Sequence, residues 1–572
     1  MTLRSVSAIA VCVVFLPASS VVAWAQGPPP PPPPPPGIAQ PRDAAAQKPG
    51  TAKLSGRVTS LDTGRPIRRA VVRATGQALR EGKSVSTDAE GRWELREIPA
   101  GRFTISVTKG GFVSLSFGQK RPFEGGKTVD VADAAAVGNL DVALPRGGAL
   151  TGRVVDEFGE PVTGANVSPL RFRYASGRRQ LAPVGTGDTT DDLGQYRLHG
   201  LPPGDYYVAA RQTVFTFLGT SEDKSGYGQT FYPAAQNVSE ASRLTVGVGQ
   251  EPQNIVISLV PSRVANVSGT MTLASGKPVK QGIVMIREAN NQVISSIRPG
   301  MIQDGAWSIS GIAPGDYQLV AQAIDLEAVA ASGSTLGMTP EFVTQPLTVT
   351  GDDITGIVLI SGVGGSARGT IRFEGENPPA SPPSLSALMA LDTSDAGLPM
   401  PATAFVKPDW TFEMKGLTGR RKFVFNNPPA GWTLKSITVN GTDVIDTGLE
   451  VAPGAEVADV EVLLTKRTTE VSGTVQDAKG AAVADYAVVI FASDSQLWGY
   501  TSRYVRVGRA DQTGRFMIAG LPAGSYTAVA LDYLESGQES DPEFLERLKN
   551  LGTTLRLGED EKKALTLKIS SQ

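Results

Sequence analysis

The stretch Asp191-Asp-Leu-Gly-Gln-Tyr-Arg-Leu-His-Gly-Leu-Pro-Pro-Gly-Asp-Tyr-Tyr-Val-Ala-Ala210 constrains the chain more than any other. Gly194 closes a polar turn, and Tyr196 and Leu198 then alternate with Arg197 and His199, the period of a half-buried strand. Pro203-Gly204 suits the centre of a type II turn, because proline presets a negative φ and glycine accepts a positive one. Tyr206 and Val208 open a second alternating strand. The unit is turn, strand, tight turn, strand. It returns as Asp88 to Val107, Gln303 to Ala321 and Asp511 to Ala530. A fourth copy, Lys407 to Phe425, has Thr418-Gly-Arg-Arg-Lys422 where the others have the proline–glycine turn, which predicts a hairpin with a more basic tip.

Upstream of each doublet stands a short strand with a small-Gly-x-apolar core: Ser55-Gly-Arg-Val58, Thr151-Gly-Arg-Val154, Ser268-Gly-Thr-Met271, Arg368-Gly-Thr-Ile371 and Ser472-Gly-Thr-Val475. Turns such as Gly64-Arg-Pro-Ile67 and Gly159-Glu-Pro-Val162 follow, and then a second alternating strand. Each copy ends on another, as in Ile255/Ile257/Leu259 and Leu565/Leu567/Ile569. Counting gives about seven strands per copy, the number of a Greek-key β-sandwich. The expectation is all-β: five tandem sandwiches at residues 53–146, 147–261, 262–362, 363–466 and 467–572. One short helix breaks the pattern. Asp541-Pro-Glu-Phe-Leu-Glu-Arg-Leu-Lys-Asn-Leu-Gly552 has a capping aspartate, a proline at the first helical position and a closing glycine. Phe544, Leu545, Leu548 and Leu551 fall on one face, so it should pack on the fifth sandwich as a crossover.

Residues 1–25 carry the three parts of a secretory signal: Arg4, an apolar stretch from Ala8 to Leu16, and Ala23-Trp24-Ala25 as the cleavage site. Residues 26–52 form a proline-rich linker, whose run Pro28 to Pro36 reads as an extended polyproline rod and a passive tether. The mature chain is expected to be secreted, periplasmic or attached to the cell surface, with no membrane-spanning run.

These boxes resemble the carboxypeptidase regulatory-like domain, a transthyretin-like sandwich found behind the catalytic domain of some metallocarboxypeptidases and in many bacterial secreted proteins. The resemblance covers nearly all of residues 53–572 and is weakest in the fourth copy. It implies accessory or binding modules. The related carbohydrate-binding-like fold, which includes starch-binding domains, makes a polysaccharide the leading partner and a cell-surface protein the alternative.

The inventory excludes much chemistry. One histidine, His199, and one cysteine, Cys12 inside the signal, cannot assemble a two-histidine zinc site or an internal disulfide. His199 should face outward from its strand, a poor place for a general base. Asp88, Asp191 and Asp511 recur at one turn position, so each should cap its own backbone. Asp191-Asp192, Asp352-Asp353 and Glu559-Asp-Glu561 lack the spacing of a calcium loop. No cofactor, metal or catalytic residue is expected, and 54 basic against 56 acidic side chains set up no strong field for nucleic acid. Trp93, Trp307 and Trp410 are read as occupying the core position of Tyr196 and Phe516. Aromatics outside the repeated strands are the candidate ligand-binding residues: Trp432, Trp498, Tyr500 and Tyr504, with Tyr227, Phe231 and Tyr232 in the long second-copy insertion. They would either stack on sugar rings or fold back and bury themselves.

Overall fold

A computed structural model describes residues 50–570, apart from 77, 80–81, 176, 213–224, 290–297, 325–340, 384–385, 393–401 and 500. The expected signal, most of the expected linker and Tyr500 therefore lie outside the described residues. Strands dominate, and five apolar clusters follow one another along the chain, around Leu54, Leu150, Val267, Ile371 and Val475. With the sheets that wall them, these are called here the first to fifth modules.

Each module is built around its opening strand: Ala52–Ser60, Gly148–Val155, Ala265–Thr272, Gly365–Phe373 and Glu470–Gln476. On one side it pairs antiparallel with the first strand of the doublet; on the other it pairs parallel with the closing strand of its module. The closing strands are Val142–Leu144, Ile255–Ser258, Ile354–Ile360, Glu456–Thr465 and Lys562–Ser570. The repeated glycine lies at this parallel seam. A Cβ added at Gly152, Gly369 or Gly473 would lie 1.8 Å from the carbonyl oxygen of Ile255, Val460 or Leu565, and one at Gly269 2.0 Å from that of Ile357. Opposite each glycine stands the large side chain of the doublet: Trp93, Tyr196, Trp307, Phe412 and Phe516.

The doublet is not a hairpin. Gln195–Leu201 pairs with the opening strand, whereas Gly204–Gln212 joins the other sheet beside Ala165–Ala175. In the third and fifth modules the two strands lie apart in one eight-stranded sheet, and in the first, second and fourth the turn between them is an arch from sheet to sheet. Its glycines have φ of 152° at Gly101, 146° at Gly204 and 158° at Gly315, far from the roughly 80° of a type II turn. A tyrosine two residues on closes the arch: the Tyr206, Tyr317 and Tyr526 hydroxyls donate to the carbonyls of Pro202, Ala313 and Pro522, at 2.5, 2.9 and 2.6 Å. Burial pushes the Tyr206 phenol up to about 12.

The aspartate turns follow expectation. Asp191 Oδ1 accepts from the amides of Leu193 and Gln195, and Asp88 and Asp511 do the same in their modules. The fourth module departs in two places. Phe412, not Trp410, stands opposite the seam glycine; Trp410 is buried in the same core, as expected, but occupies the turn-glycine position of Gly91 and Gly194, at φ 61°. Arg421 takes the position of the arch tyrosine, where it is buried and its Nε donates to the Thr418 carbonyl at 2.7 Å. The basic tip expected there is thus partly turned inward.

The helix Pro542–Leu548 starts at Asp541, whose carboxylate accepts from the Glu543 amide. Phe544, Leu545 and Leu548 pack on Ala487, Val489, Phe491 and Leu531, so the strand Ala487–Ala492 is buried on both faces. Leu551 falls in the following 3-10 turn and is exposed.

The seam glycine yields a direct test within the first module. Gly56→Ala would set a Cβ 2.3 Å from the Leu140 carbonyl oxygen, a backbone atom that cannot step aside, whereas Gly110→Ala meets nothing within 4 Å. Urea unfolding should show Gly56→Ala losing about 1–3 kcal/mol or more and Gly110→Ala nearly unchanged.

Candidate interaction sites

A dense polar assembly lies where the fifth module meets the first and second. The loop after Phe117 carries Phe123 at φ 68°, and two guanidiniums of the second module lie over its ring. Arg171 is 4.8 Å and Arg173 4.7 Å from its centroid, a double cation–π clamp. These arginines alternate with Phe172 and Tyr174 along Ala165–Ala175. The segment Tyr533–Gly537 of the fifth module lies against the same loop. The Ser536 amide donates to the Phe123 carbonyl at 2.9 Å, Glu124 bridges Glu535 as in an antiparallel strand pair, and Arg121 covers the Tyr533 ring. Gly537, at φ 92°, comes so close to the Tyr174 carbonyl that a Cβ there would stand 2.6 Å away.

Charges secure the same contact. Arg509 Nη2 donates to the Leu534 carbonyl at 3.0 Å and Nη1 reaches the buried Glu124 at 3.6 Å. Lys120 and Lys127 converge on Asp485 at 2.6 and 3.3 Å, and Lys127 also donates to the Ala484 carbonyl. Glu535 is less well served. Its Oε1 is buried without a hydrogen-bond partner, and burial raises its carboxyl pKa against the opposing pull of Arg171, Arg173 and Arg179. The fourth and fifth modules join through another arginine: Arg503 grips Asp446 with two bonds of 2.8 and 2.6 Å and donates to the Lys435 carbonyl.

The sequence-predicted aromatics are distributed among separate clusters. Trp432 is buried, edge-on to Phe373 at 4.8 Å, with Lys466 over its ring. Phe231 is buried beside Leu170 and Leu181, and Tyr232 packs on the second core. Tyr227 is half-buried with its hydroxyl donated to Glu157, and its phenol is pushed up to about 12 by burial and that carboxylate. Trp498 is half-buried, edge-on to Phe491, and its indole N–H donates to the Ala492 carbonyl at 2.7 Å. Tyr504 donates to Asp446 within the fourth–fifth junction.

Elsewhere, a depression of about 510 Å³ in the first module is lined by Arg57, Asp88, Trp93, Glu94 and Asp141. Its aspartates are engaged by backbone amides: Asp88 by Glu90 and Arg92, Asp141 by Arg57. His199 is exposed. Among the described residues, no group of three His, Cys, Asp or Glu side chains is placed to hold a metal ion. Sequence reasoning missed the junction residues Phe123, Arg171, Arg173, Arg509 and Glu535; the one visible signal was the basic–aromatic alternation Arg171-Phe-Arg-Tyr174.

Comparison with known proteins bears on the modules. Residues 53–145 and 149–221 match the carboxypeptidase regulatory-like domain, and the chain carries two copies of it in succession. No curated protein matches the chain. Among solved structures, the Bacillus anthracis TIE protein is similar at 12% identity, over 72% of this chain and 68% of its own, with a TM-score of 0.15. The major pilin subunit BcpA of Bacillus cereus is similar at 12% identity over 55% of this chain and 99% of its own, with a TM-score of 0.14. The minor pilin GBS52 of Streptococcus agalactiae matches at 12% identity over 36% and 95%, with a TM-score of 0.21. At such scores these likenesses carry no argument about this chain.

Glu535 makes the junction pH-dependent. A carboxyl raised by burial favours its protonated form in the folded state. Its contribution is therefore complete below the ordinary glutamate value of 4.5 and is lost as pH rises through the higher folded value. Glu535→Gln, which imitates the protonated form, should melt above the native chain near about pH 8 and coincide with it near about pH 4. A lower melting temperature for the variant at about pH 8 would contradict the assignment.

Proposed function

We propose that this chain is a non-catalytic, extracellular scaffold: five separately folding sandwich domains, with the boundaries read from the sequence, held as one body that presents surfaces to protein partners. The junction of the first, second and fifth modules carries the reading. A clamp of arginines on Phe123 joins the first module to the second, while Arg509 reaching Glu124 and Asp485 meeting Lys127 join residues more than 300 positions apart. Such an arrangement holds modules in fixed relation and is suited to a platform. The carboxypeptidase regulatory-like domains support an accessory role. The recurrent aspartates are occupied as turn caps, and the lone described histidine is exposed on a strand face. The leader pattern in residues 1–25 supports an extracellular location, and no described helix is long and apolar enough to cross a membrane.

A polysaccharide partner has less support. Stacking on a sugar needs an open ring face, whereas Trp432 and Phe231 are buried, and Trp498 and Tyr504 are held by hydrogen bonds at their polar atoms.

Two measurements test the proposal. Arg509→Ala combined with Asp485→Ala should enlarge the radius of gyration in X-ray scattering and speed limited proteolysis between modules, with β-sheet circular dichroism unchanged. Immobilised chain should retain protein from a cell-surface fraction and give no signal on a glycan array. A glycan signal abolished by Trp498→Ala would overturn the scaffold reading in favour of sugar binding.

A further inference from the structure

Two turns lie where the opening strand of the second module finishes, and they carry an unusual pair of side chains. Phe158 is 83% exposed, more than any other large hydrophobic among the described residues, and Leu193 in the neighbouring turn is 58% exposed. The turns abut: a Cβ on Gly194 would stand 3.1 Å from that of Pro161. Neither side chain holds its turn in shape, because the Asp156 and Asp191 carboxylates accept the amides that do. Where the second module has Phe158, the first, third and fifth have Thr63, Ser275 and Lys479. Where it has Leu193, the other four have Glu90, Asp304, Asp409 and Thr513. Glu160 and Asp192 flank the pair, both exposed and in no ion pair among the described residues. Adjacent apolar side chains rimmed by carboxylates have the form of a contact surface.

The same end of the first module has the opposite character. Arg65 stands where Glu160 stands, and Arg68, Arg69 and Arg73 follow it, all exposed and likewise in no ion pair among the described residues. The carboxylates nearby are already engaged, Asp62 by Arg146 and both Asp88 and Glu90 by Arg92. Leu61 and Val71, 51% and 43% exposed, are interspersed along the same segment. Basic residues outnumber acidic ones over residues 53–146, whereas acidic ones outnumber basic ones over residues 147–572.

We propose that the second-module tip docks on residues 61–73 of a second copy of this chain, head to tail. Phe158 and Leu193 then lie against Leu61 and Val71, with Glu160 and Asp192 facing the unpaired arginines. Charge selects this partner. The complement of an apolar tip rimmed by carboxylates is an apolar segment rimmed by cations, and every copy of the chain carries one. Tip repels tip and segment repels segment, so unlike ends meet. Each copy keeps one free end of each kind, and a contact of that sort builds an open chain of copies, not a closed pair. The inference rests on the scaffold reading and names the partner that its surfaces take.

Sedimentation velocity of the full chain from about 1 to 100 μM in about 50 mM salt should show an average mass that climbs past that of a dimer, and about 0.5 M salt should reverse it. Phe158→Ser and Leu193→Asp copy the third module's residues at these turns, so the fold is kept; each should weaken association at least about tenfold. Charge reversal decides the partner. Arg65→Glu with Arg68→Glu, and separately Glu160→Arg with Asp192→Arg, should each give a natively folded chain that stays monomeric to about 100 μM. An equimolar mixture of the two should associate again. A native chain that is monomeric at about 100 μM in low salt, association indifferent to salt, or a mixture that stays apart overturns the proposal. So does exchange protection of the tip amides that appears only with added polylysine, a cationic partner of another kind. The scaffold reading is judged separately: an assembling chain that binds glycans through Trp498 sinks that reading alone, and a monomer that still captures surface protein sinks self-docking alone.

Discussion

A carbonyl oxygen aimed at a glycine is what lets each module close on itself. The first and last strands of a module run parallel, side by side, and their backbones approach at the repeated glycine more closely than any Cβ allows. The aromatic side chain opposite the glycine then fills the volume that a side chain would have taken, with Tyr196 donating its hydroxyl to the Ile255 carbonyl at that seam. A parallel pair of terminal strands also has a topological consequence. The chain leaves a module at the end opposite to the one where it began, so successive modules follow end to end. Contacts of the fifth module with the first and second require that this succession turn back on itself.

Much of this was legible in the sequence because it is local and repeated. Glycine before an apolar residue, aspartate four positions before an alternating strand, and tyrosine two positions after an arch glycine each solve one short-range problem of backbone geometry or hydrogen bonding. Repetition turned weak signals into a fold. The error was in the arch: proline–glycine between two alternating strands has the chemistry of a hairpin, and nothing local states that the second strand joins another sheet. The fourth module misled for a related reason. Its Trp410 is two residues from Phe412, and a reading by residue type preferred the tryptophan, whereas the register sets Phe412 opposite Gly369; Trp410, at the left-handed turn position, is buried in the same core.

The junctions were largely invisible. Phe123 and Arg171 belong to different modules, and Asp485 meets Lys127 across more than 350 residues, with no periodicity linking them. The candidate aromatics were read as lying outside the repeated strands, but exposure does not follow from that. An insertion tends to cover its own large side chains, because each buried ring removes a large apolar area from water. Trp432 and Phe231 followed this rule, and the polar ends of Trp498 and Tyr504 found partners along the way.

The junctions and the second module's tip also differ in kind. Between modules, contact is made by guanidiniums over rings, by carboxylates and by backbone carbonyls, groups that remain soluble when exposed and that tolerate only particular geometries. A surface of that sort gains orientation more than raw affinity. Phe158 and Leu193 are the opposite: apolar and without directional preference beyond the turns that carry them.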